Sequence, residues 1–280
     1  MGFIRVGTSS WADKDLVQSG WYPREMNNPA GRLAYYAQHF DLVEVDTSYH
    51  AIPDPSVTAA WAARTPAGFT FDVKAFSLFT GHPTRASSLP AHVRPPAGLD
   101  RVTRRDLGGE RYEEVWRAFH TSLEPLATAG KLGVVLLQFP TWLEYSPAAL
   151  RRVLHEADRC RPHQPAVELR HGSWFAGEQA ARTLAELRDH DVSFTCVDMP
   201  QGQPSSVPPL LAATARPAML RLHGRGAGDY EYSDQELWDL SQRLHVLAPG
   251  EVHVLFNNGG GDQAQLDAAR FALLCYSLAS

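Results

Sequence analysis

Eight short apolar runs, each separated from the next by a stretch compatible with a helix, recur along this chain of 280 residues. They lie at 3–7, 42–46, 69–75, 132–138, 165–169, 192–198, 218–223 and 251–256. Most are rich in Val, Leu, Ile or Phe, as buried parallel strands are. Helical composition fills 31–39, 55–64, 112–129, 147–158, 177–190, 233–247 and 262–279. Ser146 before Pro147 reads as an N-cap with proline in the first turn, and Ser233 with Glu236 has capping-box spacing. The stretch 200–217 carries five prolines and is expected to hold no more than a short turn.

Parallel neighbours need crossover connections, and eight strands can close without an exposed edge. The expected fold is therefore α/β, a (β/α)8 TIM-like barrel, with an open doubly wound sheet as the alternative. A single domain over 1–280 accommodates the length. Residues 77–110 are too long for an ordinary βα loop and form an expected insertion after the third strand, an excursion over the barrel mouth.

Four of the apolar runs carry two polar residues spaced i and i+2: Glu44 and Asp46, Asp72 and Lys74, Glu168 and Arg170, Arg221 and His223. In a strand such residues share one face. Burying an unpaired charge costs several kcal/mol, so the pairs are expected to face one another around a polar cavity at the carboxyl ends of the strands. Gln138, Asp198 and Asn257 close three further strands, and Trp11 follows the first.

Lys74, Arg170 and Arg221 offer positive charge for a carboxylate or phosphate. The competing reading is that they neutralise the carboxylates inside the barrel. Glu168 is the expected general base and His223 the expected acid, with Glu44 and Asp198 as further catalytic candidates. Glu44, Asp46, Glu168, Asp198 and His223 leave a divalent metal admissible, but the three cations in the same ring argue against one, and neither a metal nor an organic cofactor is assigned.

With 26 basic against 31 acidic residues, the net charge of −5 opposes general attraction to a polyanion. The arginines of the excursion, Arg85, Arg94, Arg101, Arg104 and Arg105, keep a nucleic-acid partner open as an alternative. Three scattered cysteines, without metal-ligand or redox spacing, fit a reducing cytoplasm, and no apolar run is long enough to span a membrane.

The ordered series VGTSSW, VEVDTSYHAIP, WAARTPAGFTFDVKAF, LLQFP, VELRHGSW, RLHGR and FNN resembles the YecE-like family, a domain of unknown function, over almost the whole chain. The resemblance implies a TIM-like barrel whose site residues are Glu44, Lys74, Gln138, Glu168, Arg170, His171, Asp198, Arg221, His223 and Asn257. It implies no settled reaction. The chain departs from the family habit at Asp46 and Asp267, where asparagine is common, and at Gly259–Gly261. Taken together, the expectation is an enzyme binding a small anionic, phosphorylated ligand, by phosphoester hydrolysis or sugar-phosphate isomerisation, with a nucleic-acid-processing protein or a noncatalytic anion sensor as alternatives.

Overall fold

A computed structural model describes residues 3–95, 98–203, 205–226, 228–247 and 250–279, with the side chains of 276–279 left out. The elements run β1 (Ile4–Thr8), α1 (Lys14–Ser19), α2 (Pro29–Tyr36), β2 (Leu42–Val45), α3 (Pro55–Ala63), β3 (Thr70–Lys74), β4 (Thr84–Arg85), β5 (Arg101–Val102) and α4 (Arg104–Thr128). They continue with β6 (Leu132–Gln138), α5 (Pro147–Asp158), β7 (Gln164–Glu168), α6 (Gln179–Asp189), β8 (Ser193–Asp198), β9 (Ala218–Leu222), α7 (Asp234–Leu247), β10 (Val252–Phe256) and α8 (Gln263–Ala279). Strands β1, β2, β3, β6, β7, β8, β9 and β10 close into a parallel barrel in sequence order, which decides between the barrel and the open sheet. Among the described residues, the connection from β8 to β9 holds no helix, in line with its prolines.

Local signals set the helix starts. Ser146 Oγ accepts from Ala149 N at 3.0 Å, and Ser233 N donates to Glu236 Oε2 at 2.9 Å. The β1–β2 seam pairs at only two positions, and a side chain completes it: the Tyr36 hydroxyl accepts from Thr8 N at 2.8 Å and donates to Leu42 O at 3.0 Å. Gly7 is required here, because a Cβ would stand 1.9 Å from Leu42 O.

The described residues of the insertion after β3 pack against the barrel and α4. Its first turn, Ser77–His82, lies by the mouth, where the His82 ring meets those of Tyr49 and Trp142 at 5.4 and 5.3 Å. Beyond it β4 and β5 form a two-stranded antiparallel ribbon. Leu89, Val93 and Val102 are buried in the main core with Val115 and Phe119 of α4. That helix opens at Arg104, earlier than its composition suggests, with a break at Gly108 (φ 73°).

Inside the barrel, Leu42, Val134, Leu136, Ala166, Met219 and Leu255 form an apolar layer. It separates two polar networks. Asp72, expected at the mouth, belongs to the one toward the amino ends of the strands: both its oxygens lie within 3.0 Å of His253 Nδ1. At the β3–β6 irregularity between Phe71 and Val73, Asp72 Oδ1 accepts from Val134 N at 2.9 Å, supplying a partner the ladder lacks. His253 reaches on to Glu251 at 3.3 Å and Glu251 to Arg5 at 2.6 Å. A Cβ on Gly133 would sit 2.2 Å from Asp72 Oδ1, so the carboxylate fits only over glycine.

Candidate functional site

The inward parity of β2, β6, β7 and β9 delivers Glu44, Gln138, Glu168 and Arg221 to one ring above the apolar layer. Arg221, 2% exposed, holds it together. Its Nη1 donates to Glu168 Oε2 at 2.6 Å and Gln138 Oε1 at 3.3 Å, and its Nη2 to Glu44 Oε1 at 2.8 Å. Arg170, two residues beyond Glu168, donates to Glu168 Oε1 at 2.8 Å. Lys74 bonds Asp46 at 2.7 Å, and its ammonium lies 4.8 Å from the centre of the Tyr49 ring. The cations divide by burial: Arg221 has both Nη groups on carboxylates, while Arg170 and Lys74, each on one carboxylate, have side chains 15% and 11% exposed.

This division sets the proton affinities. Burial alone would raise the Glu168 carboxyl, but Arg221 and Arg170 outweigh it and hold Glu168 well below the usual carboxylate range. Glu44 shares only one guanidinium. Burial pushes it up to about 7, with Arg221 and Lys74 restraining the rise. Its Oε2 is buried without a partner. His223 is pushed down to about 3 by burial first and then by Arg221. The imidazole is therefore neutral near pH 7. Its Nδ1 lies 3.2 Å from Asn257 Nδ2, and with that amide as donor the ring proton sits on Nε2, which is buried and unpartnered.

The remaining predicted residues lie elsewhere. Asp198 has the parity of Phe194 and Cys196, which face the outer core. Its carboxylate accepts from Arg225 Nε at 2.8 and 3.1 Å and from the Tyr232 hydroxyl at 3.2 Å. Trp11 packs edge-on against Trp61 and Phe71 in the apolar core. His171 caps the 3-10 turn Gly172–Phe175, its Nδ1 2.8 Å from Ser173 Oγ. Among the excursion's arginines, Arg94 and Arg101 bond the carbonyls of Leu89 and Pro83, and Arg104 bonds Glu156.

Sequence reasoning missed His253, although Glu251 and His253 carry the same i, i+2 spacing. It also missed Arg225, the partner of Asp198, and the ring pair His82 and Trp142. No group of three or more His, Cys, Asp or Glu side chains suited to a metal occurs among the described residues. The carboxylates weighed for one are each bonded to a lysine or arginine.

Solved structures share this frame. A DUF72 family protein from Thermotoga maritima (TM1631) superposes with a TM-score of 0.74 at 27% identity, over 98% of this chain and 99% of that one. Another from Enterococcus faecalis (EF0366) gives 0.73 at 26%, over 100% and 98%. The UPF0759 protein YunF of Bacillus subtilis is 30% identical over 93% of this chain and 90% of its own length. The profile of the family described as "Protein of unknown function DUF72" matches residues 5–277, nearly all of the barrel just described. The chain is thus a member of the DUF72 family.

Proposed function

We propose that this protein is an enzyme that moves a proton on a small anionic, phosphorylated ligand bound at the carboxyl-end mouth of the barrel. The observation that carries the reading is Glu44: a buried carboxyl near neutrality, with one free oxygen, inside a ring of cations. A group poised near the working pH is what general acid–base catalysis needs. Arg170 and Lys74 are the ligand's cationic contacts, and Arg221 is the positioning residue beneath them. Lys74 can exchange Asp46 for a ligand oxygen, a movement that would open the way to Glu44. Neutral His223 serves as a hydrogen-bond donor through Nε2 rather than as the acid, and Glu168, held ionised, anchors both arginines. Trp142, 61% exposed beside His82, provides an apolar wall for the uncharged part of the ligand.

Phosphoester hydrolysis and sugar-phosphate isomerisation both require such a proton exchange, and one experiment separates them. Phosphodiesters, phosphomonoesters, sugar phosphates and their dephosphorylated forms are screened by thermal shift, and those that bind are followed by phosphorus NMR for release of phosphate or for isomerisation. Stabilisation that needs the phosphate and disappears in Arg170→Ala supports the anion contact. Loss of turnover in Glu44→Gln with binding retained supports the proton role. Equal stabilisation by phosphorylated and dephosphorylated compounds removes the anion reading, and binding without turnover turns the protein into a sensor.

A further inference from the structure

A cavity of about 140 Å3 lies between the loop after β1 and the glycine turn that leads into α8. Ser9, Asp13, Asp15, Asn258 and Gln265 line it. Ser9, Asn258 and Gln265 are 7%, 1% and 4% exposed. Each nevertheless has an oxygen with no partner: Ser9 Oγ, Asn258 Oδ1 and Gln265 Oε1.

The orientation of both amides follows from their bonds, which is how such assignments are made. Asn258 Nδ2 donates to Tyr230 O and Asp267 Oδ2, both at 2.7 Å. Neither acceptor carries a proton, so the reverse orientation would set oxygen against oxygen. Thr8 Oγ1 has a single proton for Ser10 O at 2.9 Å and the Tyr36 hydroxyl at 3.0 Å, and is left to accept from Gln265 Nε2 at 3.3 Å. Both amide oxygens are therefore acceptors in need of a donor or a positive charge. A buried acceptor left unmet is costly, because its hydration is lost and nothing replaces it.

Ordered water could meet three acceptors, but the rim selects further. Asp13 and Asp15 are exposed carboxylates on the same cavity. The first turn of α8 also borders it through Ala264 and Gln265. Its dipole brings roughly half a positive charge, less than the two carboxylates bring in negative charge. We infer that this cavity is a binding site for a hard divalent cation, Mg2+ or Ca2+, held by the oxygens of Ser9, Asn258 and Gln265 with the charge of Asp13 and Asp15. Hydroxyl, amide and carboxylate oxygens are the ligands such ions take. The site goes beyond the mouth chemistry, since it uses none of the ring's carboxylates. Asn257 lies between the two, lining this cavity while touching His223.

The test uses the full chain, stripped with a chelator and titrated separately with Mg2+, Ca2+ and Mn2+ by calorimetry. Wild type is compared with Asp13→Asn/Asp15→Asn, which alters only exposed side chains, and with Gln265→Leu. Thermal melts without ions establish that each variant folds. One saturable ion per chain is expected, weakened at least about tenfold in the double variant because ligand charge tunes affinity. An anomalous peak beside Asn258 Oδ1 and Gln265 Oε1 in Mn2+-soaked crystals would locate it. Absence of saturable binding at millimolar ion, unchanged affinity in the folded double variant, an anomalous peak elsewhere or an ordered water only would each overturn the site.

Discussion

Arg221 Nη2 lies 2.8 Å from Glu44 Oε1, and that single bond is the only one Glu44 receives from a side chain among the described residues. Glu168, on the other side of the same guanidinium, has a second arginine on its other oxygen. Two buried carboxylates on one cation thus have opposite proton affinities. The pattern, in which environment drives paired groups apart, is what separates acid and base roles in enzyme sites.

Glu44→Gln should reduce turnover on the order of 10²–10⁴-fold, the usual contribution of a positioned acid or base, and should erase the pH–rate limb near 7. Stability gives an independent check. The folded-state value of Glu44 is raised from 4.5 to about 7, so the folded protein binds more protons than the unfolded chain between those values. Stability at this site is therefore present at low pH and lost as pH rises toward 7 and beyond. Denaturant melts at pH 8 should show Glu44→Gln more stable than wild type by about 1–3 kcal/mol. Melts in which the variant's advantage over wild type is no larger at pH 8 than at pH 4 would contradict the raised carboxyl.

Arg221→Met and Arg170→Ala should behave differently. Removing Arg221 strands buried Glu44 and takes one of two arginines from Glu168, and breaking a buried pair costs about 3–5 kcal/mol. Arg170→Ala leaves Arg221 on Glu168, so the loss of stability should be smaller and the loss of phosphate-dependent stabilisation larger. Chemical denaturation beside ligand titration checks both. Equal destabilisation by the two variants would contradict the division between a structural and a ligand-facing arginine.

The network at the other end of the barrel carries a pH signature of its own. Burial lowers the affinity of His253 for its proton, but Asp72 and Glu251 outweigh burial and raise it to about 9. Its folded value thus exceeds the ordinary 6.5, so the contribution is complete below about 6.5 and disappears as pH rises through 9. His253→Ala should cost about 3–5 kcal/mol at pH 6, as an uncompensated Asp72 would, and less at pH 10. Melting curves at the two pH values decide it, and ligand binding at the mouth should not change.

His223, pushed down to about 3, holds no proton charge at neutral pH. NMR of the imidazole should show no titration between pH 5 and 8, the range where an unperturbed histidine changes charge. His223→Asn should weaken binding by removing a donor while leaving the pH–rate limb near 7 in place. A histidine resonance at His223 that titrates near 6.5 would restore it as the acid.

How much of this was legible depended on whether the signal was local. The eight strands fall within two residues of their apolar runs, and the caps at Ser146 and Ser233 form as spaced, because strand burial and helix starts are written into neighbouring residues. The i, i+2 rule correctly placed Glu44, Glu168 and Arg221 on one ring. The rule failed for Asp72 through depth: β3 carries that residue to the level of His253 rather than to the ring. Asp198, expected at the mouth only because it closes its strand, points the other way, since the strands of a parallel barrel are apolar on both faces and FTCVD does not say which face looks inward.

The order of strands and helices in this chain follows from its sequence, because alternating buried runs and crossover helices leave few other ways to satisfy the backbone, whereas closure into a barrel rather than an open doubly wound sheet was settled by the pairing of β1 with β10. Which cation answers which carboxylate was decided only by tertiary structure. Arg221 comes from β9, Glu44 from β2 and Glu168 from β7, and the energy of each pairing depends on distances and burial across the barrel that no sequence spacing encodes.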